Sequence, residues 1–582
     1  MSADRRYFAD MAWHERQELQ PAFAPQKLRD YLARAPKTMS SLKLANRIAF
    51  IGGAQLGGDL EHFAKIERVL PGADVRDADI LLIAGDWPRA GEPWREALLN
   101  LPQQARELRE LIARCRTRGI PSVLWLTGEA DTVAAMIHLK DSVDEIFVPE
   151  GIPVEGARQL DIGVNVKLFN PFVEDLASAR ADEPFFRFAV DGAHELSQFL
   201  ESDAMLQMVA PLLKYDSWLI DSAYHYQVPD LKLPAALRRR FLGHLSPQAR
   251  AALQKLAYGL FLPDILHAKR PVYFRARGRE AAACKTLVFG ETPSGHDNVT
   301  PMGDQPGSFL SALLADDVGR MAIAHKAWRD VLSQHTLFER LETIFASVNV
   351  KTVYQGSARP GVNVVMPTIR PHLIPLALTM FARQTWPQAQ MTIVANGGGI
   401  PEDVRRLVHE TPNVRLCTVP EDKTLGYCMN YGIDQVDAEY WAKWDDDDVY
   451  GPHYLEDQML QRKYVDFDIA GKAAIFTYIE GHDCIYLRSY NTWDSFASHL
   501  GGGTFLVRNG DRHFAEDGRG AEDRAFLFLA RERGDRIVAG DPFNFLQVRR
   551  QDIASHTWTV GAHVQDLRGP RRAGFDLGNI IL

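Results

Sequence analysis

Short apolar runs, each closed by glycine or by a polar turn, punctuate the first part of the chain. Arg47-Ile48-Ala49-Phe50-Ile51 runs into Gly52-Gly53. Asp79-Ile80-Leu81-Leu82-Ile83-Ala84, Pro121-Ser122-Val123-Leu124-Trp125-Leu126 and Val143-Asp144-Glu145-Ile146-Phe147-Val148 follow. Continuous apolar runs of this length predict strands covered on both faces. Between them, Pro102 opens a helix that sets Leu108, Leu111, Ile112 and Cys115 on one face and stops at Gly119. Strand, helix and strand in alternation predict a parallel, doubly wound α/β sheet.

A second block, from about 160 to 345, carries strands at Trp218-Leu219-Ile220 and Thr286-Leu287-Val288-Phe289 and an arginine-rich helix over 235–242. One long helix closes it. Met321, Ala324, Trp328, Leu332, Phe338, Leu341 and Phe345 form its apolar face, with His335 beside them as a packed core histidine. The stretch 354–361, with Gly356, Pro360 and Gly361, reads as linker. A third block then has strands at Asn363-Val364-Val365-Met366, Met391-Thr392-Ile393-Val394-Ala395 and Tyr440-Trp441-Ala442-Lys443-Trp444. The expected division is an arm over 1–40, a Rossmann-like domain over 41–160, a second Rossmann-like half over 161–350, a linker over 351–361, a third α/β domain over 362–565 and a tail over 566–582.

Composition narrows the class. A chain of 582 residues needs more than one core, and 46% hydrophobic with 24% charged residues is ordinary for a globular protein. A net charge of −9 argues against a nucleic-acid partner. The five cysteines, Cys115, Cys284, Cys417, Cys428 and Cys484, form no C-x-x-C pair, so neither a zinc site nor a disulfide framework is expected and a reducing cytoplasm fits. Residues 1–20 are charged without the apolar centre of a signal peptide, and no run of 18 apolar residues occurs. The expectation is a cytoplasmic protein, with peripheral attachment to the inner face of the membrane left open.

Four consecutive aspartates, Asp445 to Asp448, stand at the carboxyl end of the last of these strands. Adjacent carboxylates repel, and a divalent cation with a preference for hard oxygen ligands relieves the repulsion. In an extended backbone Asp445 and Asp447 share one face and Asp446 and Asp448 the other. The plainer alternative is a solvated acidic loop. Ligands in open α/β sheets bind at the carboxyl ends of the strands, which favours a site.

The third block resembles a family 2 glycosyltransferase with the nucleotide-sugar-binding fold called GT-A. Val365-Met366-Pro367-Thr368-Ile369-Arg370-Pro371 looks like its opening strand and turn, and Asn396 stands where the family commonly has an aspartate at the nucleotide base. Gly426 and Asn430 fit the following helix, Asp445 to Asp448 the Asp-x-Asp element, Gly501-Gly502-Gly503 the acceptor-side glycines and Glu522-Asp523 the catalytic-base motif. The two earlier blocks resemble the halves of a GT-B glycosyltransferase of the spore-maturation type, with Lys285 where that type has glycine.

The resemblance implies transfer of a sugar from a nucleotide-sugar donor to a glycan or glycoconjugate acceptor, with inversion, in bacterial surface-polysaccharide assembly. Pro367, Thr368, Arg370, Asn396, Gly426, Asn430, Asp445 and Asp446 would face the donor. Asp447, Asp445 and His556 would hold Mn²⁺ or Mg²⁺. Asp523 would be the general base with Glu522 beside it, and Gly502, Gly503 and Trp493 would face the acceptor. Each has a plainer reading: Glu522 and Asp523 as charge at a helix start, His556 as a structural hydrogen bond, the glycines as a hairpin. Two rival functions remain. Asp445-Asp446-Asp447-Asp448-Val449 also satisfies the D-x-D-x-[TV] pattern of a haloacid-dehalogenase-type phosphatase, and a scaffold could bind a nucleotide sugar without turnover.

Overall fold

The computed structural model describes residues 39–85, 91–174, 187–221, 233–292, 298–397, 399–516, 522–550 and 569–582. The chain divides into two compact units. One comprises 1–171, 184–315 and 327–356, the other 172–183, 316–326 and 357–582.

The first unit holds two parallel six-stranded sheets. One runs in the order Lys65–Arg68, Arg47–Gly52, Ile80–Gly85, Ser122–Leu126, Glu145–Val148, Arg158–Gln159. The helix Pro102–Thr117 buries Leu108, Leu111, Ile112 and Cys115 against this sheet's core, as its spacing predicts. The other runs Phe241–His244, Ser217–Asp221, Phe188–Val190, Gly259–Phe261, Leu287–Gly290, Thr300–Pro301. In chain order that is 3-2-1-4-5-6, the dinucleotide-fold order.

Three sequence expectations in this unit change. The helix expected over 235–242 ends at Arg238, because Phe241–His244 pairs parallel with Ser217–Asp221. Edge-strand pairing outweighs the helical preference of the arginines. The long closing helix is two helices, Asp317–Gln334 and Leu337–Ser347. The break falls where the apolar spacing jumps from Leu332 to Phe338. Thr336 starts the new helix as an N-cap, with the Glu339 carboxylate returning to the Thr336 N–H at 3.1 Å. The linker is not free chain throughout: Tyr354–Gln355 pairs antiparallel with Lys43–Leu44. His335 packs as expected. Burial, with Arg279 and Arg340 adding repulsion, lowers its pKa to about 4, and Arg340 Nη2 lies 2.9 Å from its Nδ1. Lys285 takes the left-handed φ of 58° that a glycine would supply, with its ammonium 4.6 Å over the Trp328 ring.

The second unit is built on a mixed eight-stranded sheet. Its order is Val414–Val419, Ala389–Asn396, Val362–Thr368, Tyr440–Lys443, Leu506–Arg508, Ile469–Gly471, Ile537–Ala539, Ser495–Phe496. The first four strands are parallel, and Leu506–Arg508 turns antiparallel against Tyr440–Lys443. A five-stranded sheet adjoins it, in which the tail strand Arg571–Ala573 pairs with Cys484–Arg488 and Ile580 is fully buried. The tail is therefore part of this unit's core. Among the described residues no helix is long and apolar enough to cross a membrane.

Thr336→Ala removes the cap at the helix break and is expected to lower the stability of the first unit by about 1 kcal/mol, read as a shifted midpoint in urea titration.

Candidate active site

The parallel strands Val362–Thr368, Ala389–Asn396 and Tyr440–Lys443 bring their carboxyl ends together, and the acidic run leaves the last of them. It does not continue extended. Asp446 and Asp447 form a turn, with the Asp448 N–H pointing back to the Asp445 carbonyl at 3.5 Å. The alternation expected for a strand therefore fails. Asp446 and Asp447 both meet Arg370, whereas Asp445 and Asp448 both approach Gly503. Arg370 grips both oxygens of Asp446 and donates to Asp447 Oδ2 at 3.0 Å, and the Thr368 hydroxyl donates to Asp446 Oδ2 at 2.5 Å. A Cβ placed on Gly503 would stand 2.8 Å from Asp445 Oδ2 and 3.1 Å from Asp448 Oδ2.

Aromatic packing fixes this turn. Trp444, fully buried, stacks on Tyr450 with ring centroids 4.1 Å apart. The Asp445 N–H donates to the Tyr450 hydroxyl at 2.8 Å, and that hydroxyl donates to the Gly503 carbonyl at 2.8 Å. Trp441 and Trp444 are core residues.

Asp523 arrives on the first turn of the helix Glu522–Glu532, with half-buried Glu522 before it. Its Oδ2 accepts from Lys443 Nζ at 3.4 Å and lies where a Cβ on Gly502 would come within 1.9 Å. Its Oδ1 is shut from solvent and has no hydrogen-bond partner among the described residues. Lys443 donates to Asp445 Oδ1 as well, at 2.7 Å. Gly502 and Gly503 thus make room for carboxylates.

The electrostatics are those of a negative surplus. Burial raises the Asp523 carboxyl above its usual range; Lys443 opposes this, and Asp445 and Glu522 reinforce it. Asp448 is raised by burial and then by Asp445 and Asp447. Asp446 is raised by burial in spite of Arg370 and Thr368. Burial alone would lower the Lys443 ammonium, but Asp445 and Asp523 overcome it and hold its pKa above the ordinary value.

The remaining candidates divide. Asn396 ties its amide N–H to the Lys423 carbonyl at 2.8 Å, leaving a buried Oδ1 without a partner among the described residues at the strand end. Pro367 stays within the strand Val362–Thr368. Asn430 spends its amide on segment 514–516: it donates to the Phe514 carbonyl at 3.0 Å and to Glu516 Oε1 at 2.8 Å, and accepts from the Phe514 N–H at 2.8 Å. A Cβ on Gly426 would come within 2.0 Å of the Ala515 carbonyl oxygen. Both residues hold that segment in place rather than an open surface. Trp493 is corrected from an acceptor-facing residue to a core residue, because it is 9% exposed and packs with Val318, Phe543 and Leu546. His556 lies outside the described residues.

Residues 364–477 match the family described as glycosyl transferase family 2. The third block contains a glycosyl transferase family 2 domain. No curated protein matches the chain. Among solved structures, S. aureus TarS 1-349 is 17% identical with a TM-score of 0.27, over 32% of this chain and 60% of that one. Its complex with UDP-GlcNAc has the same identity and TM-score, over 33% and 59%. The mannosyltransferase PcManGT from Pyrobaculum calidifontis, in complex with GDP-Man and Mn²⁺, is 18% identical with a TM-score of 0.26, over 40% and 68%. The chain spans about 60% of the length of TarS 1-349.

In the transferase domain the acidic run follows the fourth strand, after Val362–Thr368, Ala389–Asn396 and Val414–Val419. The phosphatase pattern requires it after the first. Sequence reasoning missed Lys443, although a lysine within Tyr440-Trp441-Ala442-Lys443-Trp444, two residues before an acid, was a visible signal. It also missed a second carboxylate cluster. His325 Nε2 lies 2.9 Å from Asp457 Oδ2 and 3.7 Å from Asp541 Oδ1, all three side chains being at most 2% exposed. The spacing suits a metal, but protein donors already serve these oxygens. Lys472 Nζ is 3.2 Å and the Phe543 N–H 2.9 Å from Asp541 Oδ1, and Asn544 Nδ2 is 2.8 Å from Asp457 Oδ2. No sequence proximity links His325, Asp457 and Asp541.

Two outcomes are expected. Gly502→Ala drives Asp523 from its place and lowers turnover about 100-fold while the circular-dichroism spectrum is retained. Because the folded carboxyl of Asp523 titrates above an ordinary aspartate, stability falls as pH rises from the ordinary aspartate value through the raised one, and the deficit persists above it. Asp523→Asn removes that deficit, so its thermal midpoint at pH 7.5 should exceed that of the parent, with the difference vanishing in acid.

Proposed function

We propose that the protein is a metal-dependent, inverting glycosyltransferase that moves a sugar from a nucleotide-sugar donor to a glycan or glycoconjugate acceptor in bacterial surface-polysaccharide assembly, working in the cytoplasm or at the inner face of the membrane. The observation that carries this reading is Asp523: a carboxylate with 33% of its side chain exposed, one lysine away from Asp445, in a family 2 transferase domain.

The donor set suits Mn²⁺ or Mg²⁺. Asp445, Asp446, Asp447, Asp448 and Asp523 outnumber the cations Arg370, Lys443 and Arg549 that act on them, and the surplus falls on hard oxygen ligands. Asp445 and Asp447, with 34% and 14% of their side chains exposed, would hold the ion, joined by His556. When bound, the cation supplies Lewis-acid neutralisation of the leaving diphosphate. Asp523 accepts the proton of the acceptor hydroxyl as that oxygen attacks the anomeric carbon. A single base opposing the leaving group implies one displacement and inversion. Asn396, at the carboxyl end of its strand, would meet the nucleotide base.

A panel of UDP-glucose, UDP-GlcNAc, UDP-galactose and GDP-mannose with MnCl₂ is expected to contain a member that raises the thermal midpoint, since saturation at about 100 times Kd is worth about 2.7 kcal/mol. Asp447→Ala should lose that Mn²⁺-dependent shift and turnover with it. Asp523→Asn should keep the shift and lose transfer by about 100-fold or more. No shift with any donor, together with hydrolysis of p-nitrophenyl phosphate, would replace this reading by the phosphatase one.

A further inference from the structure

We infer that Lys443 is a positioning residue for transfer: one buried ammonium sets how the base Asp523 is turned and how far it stands from Asp445. The inference rests on the reading of Asp523 as the base.

Lys443 ends the strand Tyr440–Lys443, and its own N–H donates to the Phe505 carbonyl at 2.9 Å. The backbone is thereby in register on both sides, with Val365 as its parallel partner. The side chain is 2% exposed. A buried ammonium without partners is costly, and an apolar residue of the same volume would avoid that cost. Its hydrogen-bond partners are Asp445 Oδ1 at 2.7 Å and Asp523 Oδ2 at 3.4 Å. An apolar strand thus carries a lysine at a position from which it reaches both carboxylates.

The consequence for Asp523 is directional. A carboxylate on a short side chain has two equivalent oxygens and a broad terminal torsion. Here Oδ2 is held between the Lys443 ammonium and Gly502, while Oδ1 is turned inward, shut from solvent. The base is held in one orientation, the condition under which a proton acceptor is prepared for a hydroxyl. The same ammonium ties that orientation to the acidic run. Asp445 follows Lys443 by two residues, whereas Asp523 comes from a helix 80 positions along the chain. Lys443 therefore carries the register of the central strand to a base that the strand does not contain.

The test is a double-variant cycle in the full chain, read as nucleoside diphosphate released from the same four donors with MnCl₂. Lys443→Met is expected to lower kcat about 100-fold. Lys443→Met/Asp523→Asn should be slower than Asp523→Asn by no more than about threefold, because the ammonium acts through the carboxylate. A purely structural lysine would instead multiply the two losses. A crystal structure of Lys443→Met needs no substrate and should show Asp523 displaced from Gly502 by about 1 Å or more. Asp523 unmoved in that structure, or multiplying losses, overturns the inference. Wild-type release by Asp523→Asn would instead overturn the assignment of the base. If Lys443→Met does not fold, Lys443→Gln, which keeps an N–H donor without the charge, carries the same measurements.

Discussion

Mutual repulsion among carboxylates at the end of one strand is the constraint around which the second unit is arranged. Asp445 to Asp448 follow one another directly, and Asp523 joins them from a distant helix. In the partly buried setting they occupy, such charges interact by several kcal/mol per pair unless cations intervene. Arg370 takes Asp446 and Asp447, and Lys443 takes Asp445 and Asp523. The allocation follows from the turn at Asp446 and Asp447, which brings the middle pair to Arg370 and the outer pair towards Gly503. The two cations do not restore balance, and the raised carboxyls of Asp448 and Asp523 are the physical record of what is left over.

Holding that surplus requires rigid surroundings. The Trp444–Tyr450 stack and the Tyr450 hydroxyl bonded to both Asp445 N–H and Gly503 carbonyl keep the turn from opening to water. Gly502 and Gly503 let backbone approach the acids where any side chain would collide. Stability given up in this way is the usual mark of a working site. The same glycines, read from sequence alone, suggest a hairpin or an acceptor surface, because a chain of letters does not show which side chain a missing Cβ makes room for.

The strands were legible because buried parallel strands write themselves as unbroken apolar runs, and the helix Pro102–Thr117 because its apolar spacing and proline start agree. The order of motifs in the third block was legible too. What was not legible depended on tertiary partners. The arginines of 235–242 favour helix until Phe241 finds Leu219. The six-residue gap between Leu332 and Phe338 hid a cap. Trp493 looked available because its neighbours in sequence are polar, while its neighbours in space are Val318 and Phe543. The acidic run was misread by period: four aspartates follow a strand, and the alternation of the strand was extended into a turn that repulsion and Arg370 shape instead.

The second carboxylate cluster shows why acids near one another do not by themselves make a reactive site. Asp457 and Asp541 are more deeply buried than Asp445 and lie beside a histidine. Yet Lys472, Asn544 and the Phe543 N–H spend their donors on them. That cluster binds residues 316–326 into the unit through His325. The strand end differs in exposure. Asp445 and Asp523 keep 34% and 33% of their side chains exposed, against at most 2% for Asp457 and Asp541. Chemistry is expected where acids that repel one another stay open to a ligand, and in this unit that is beside Lys443.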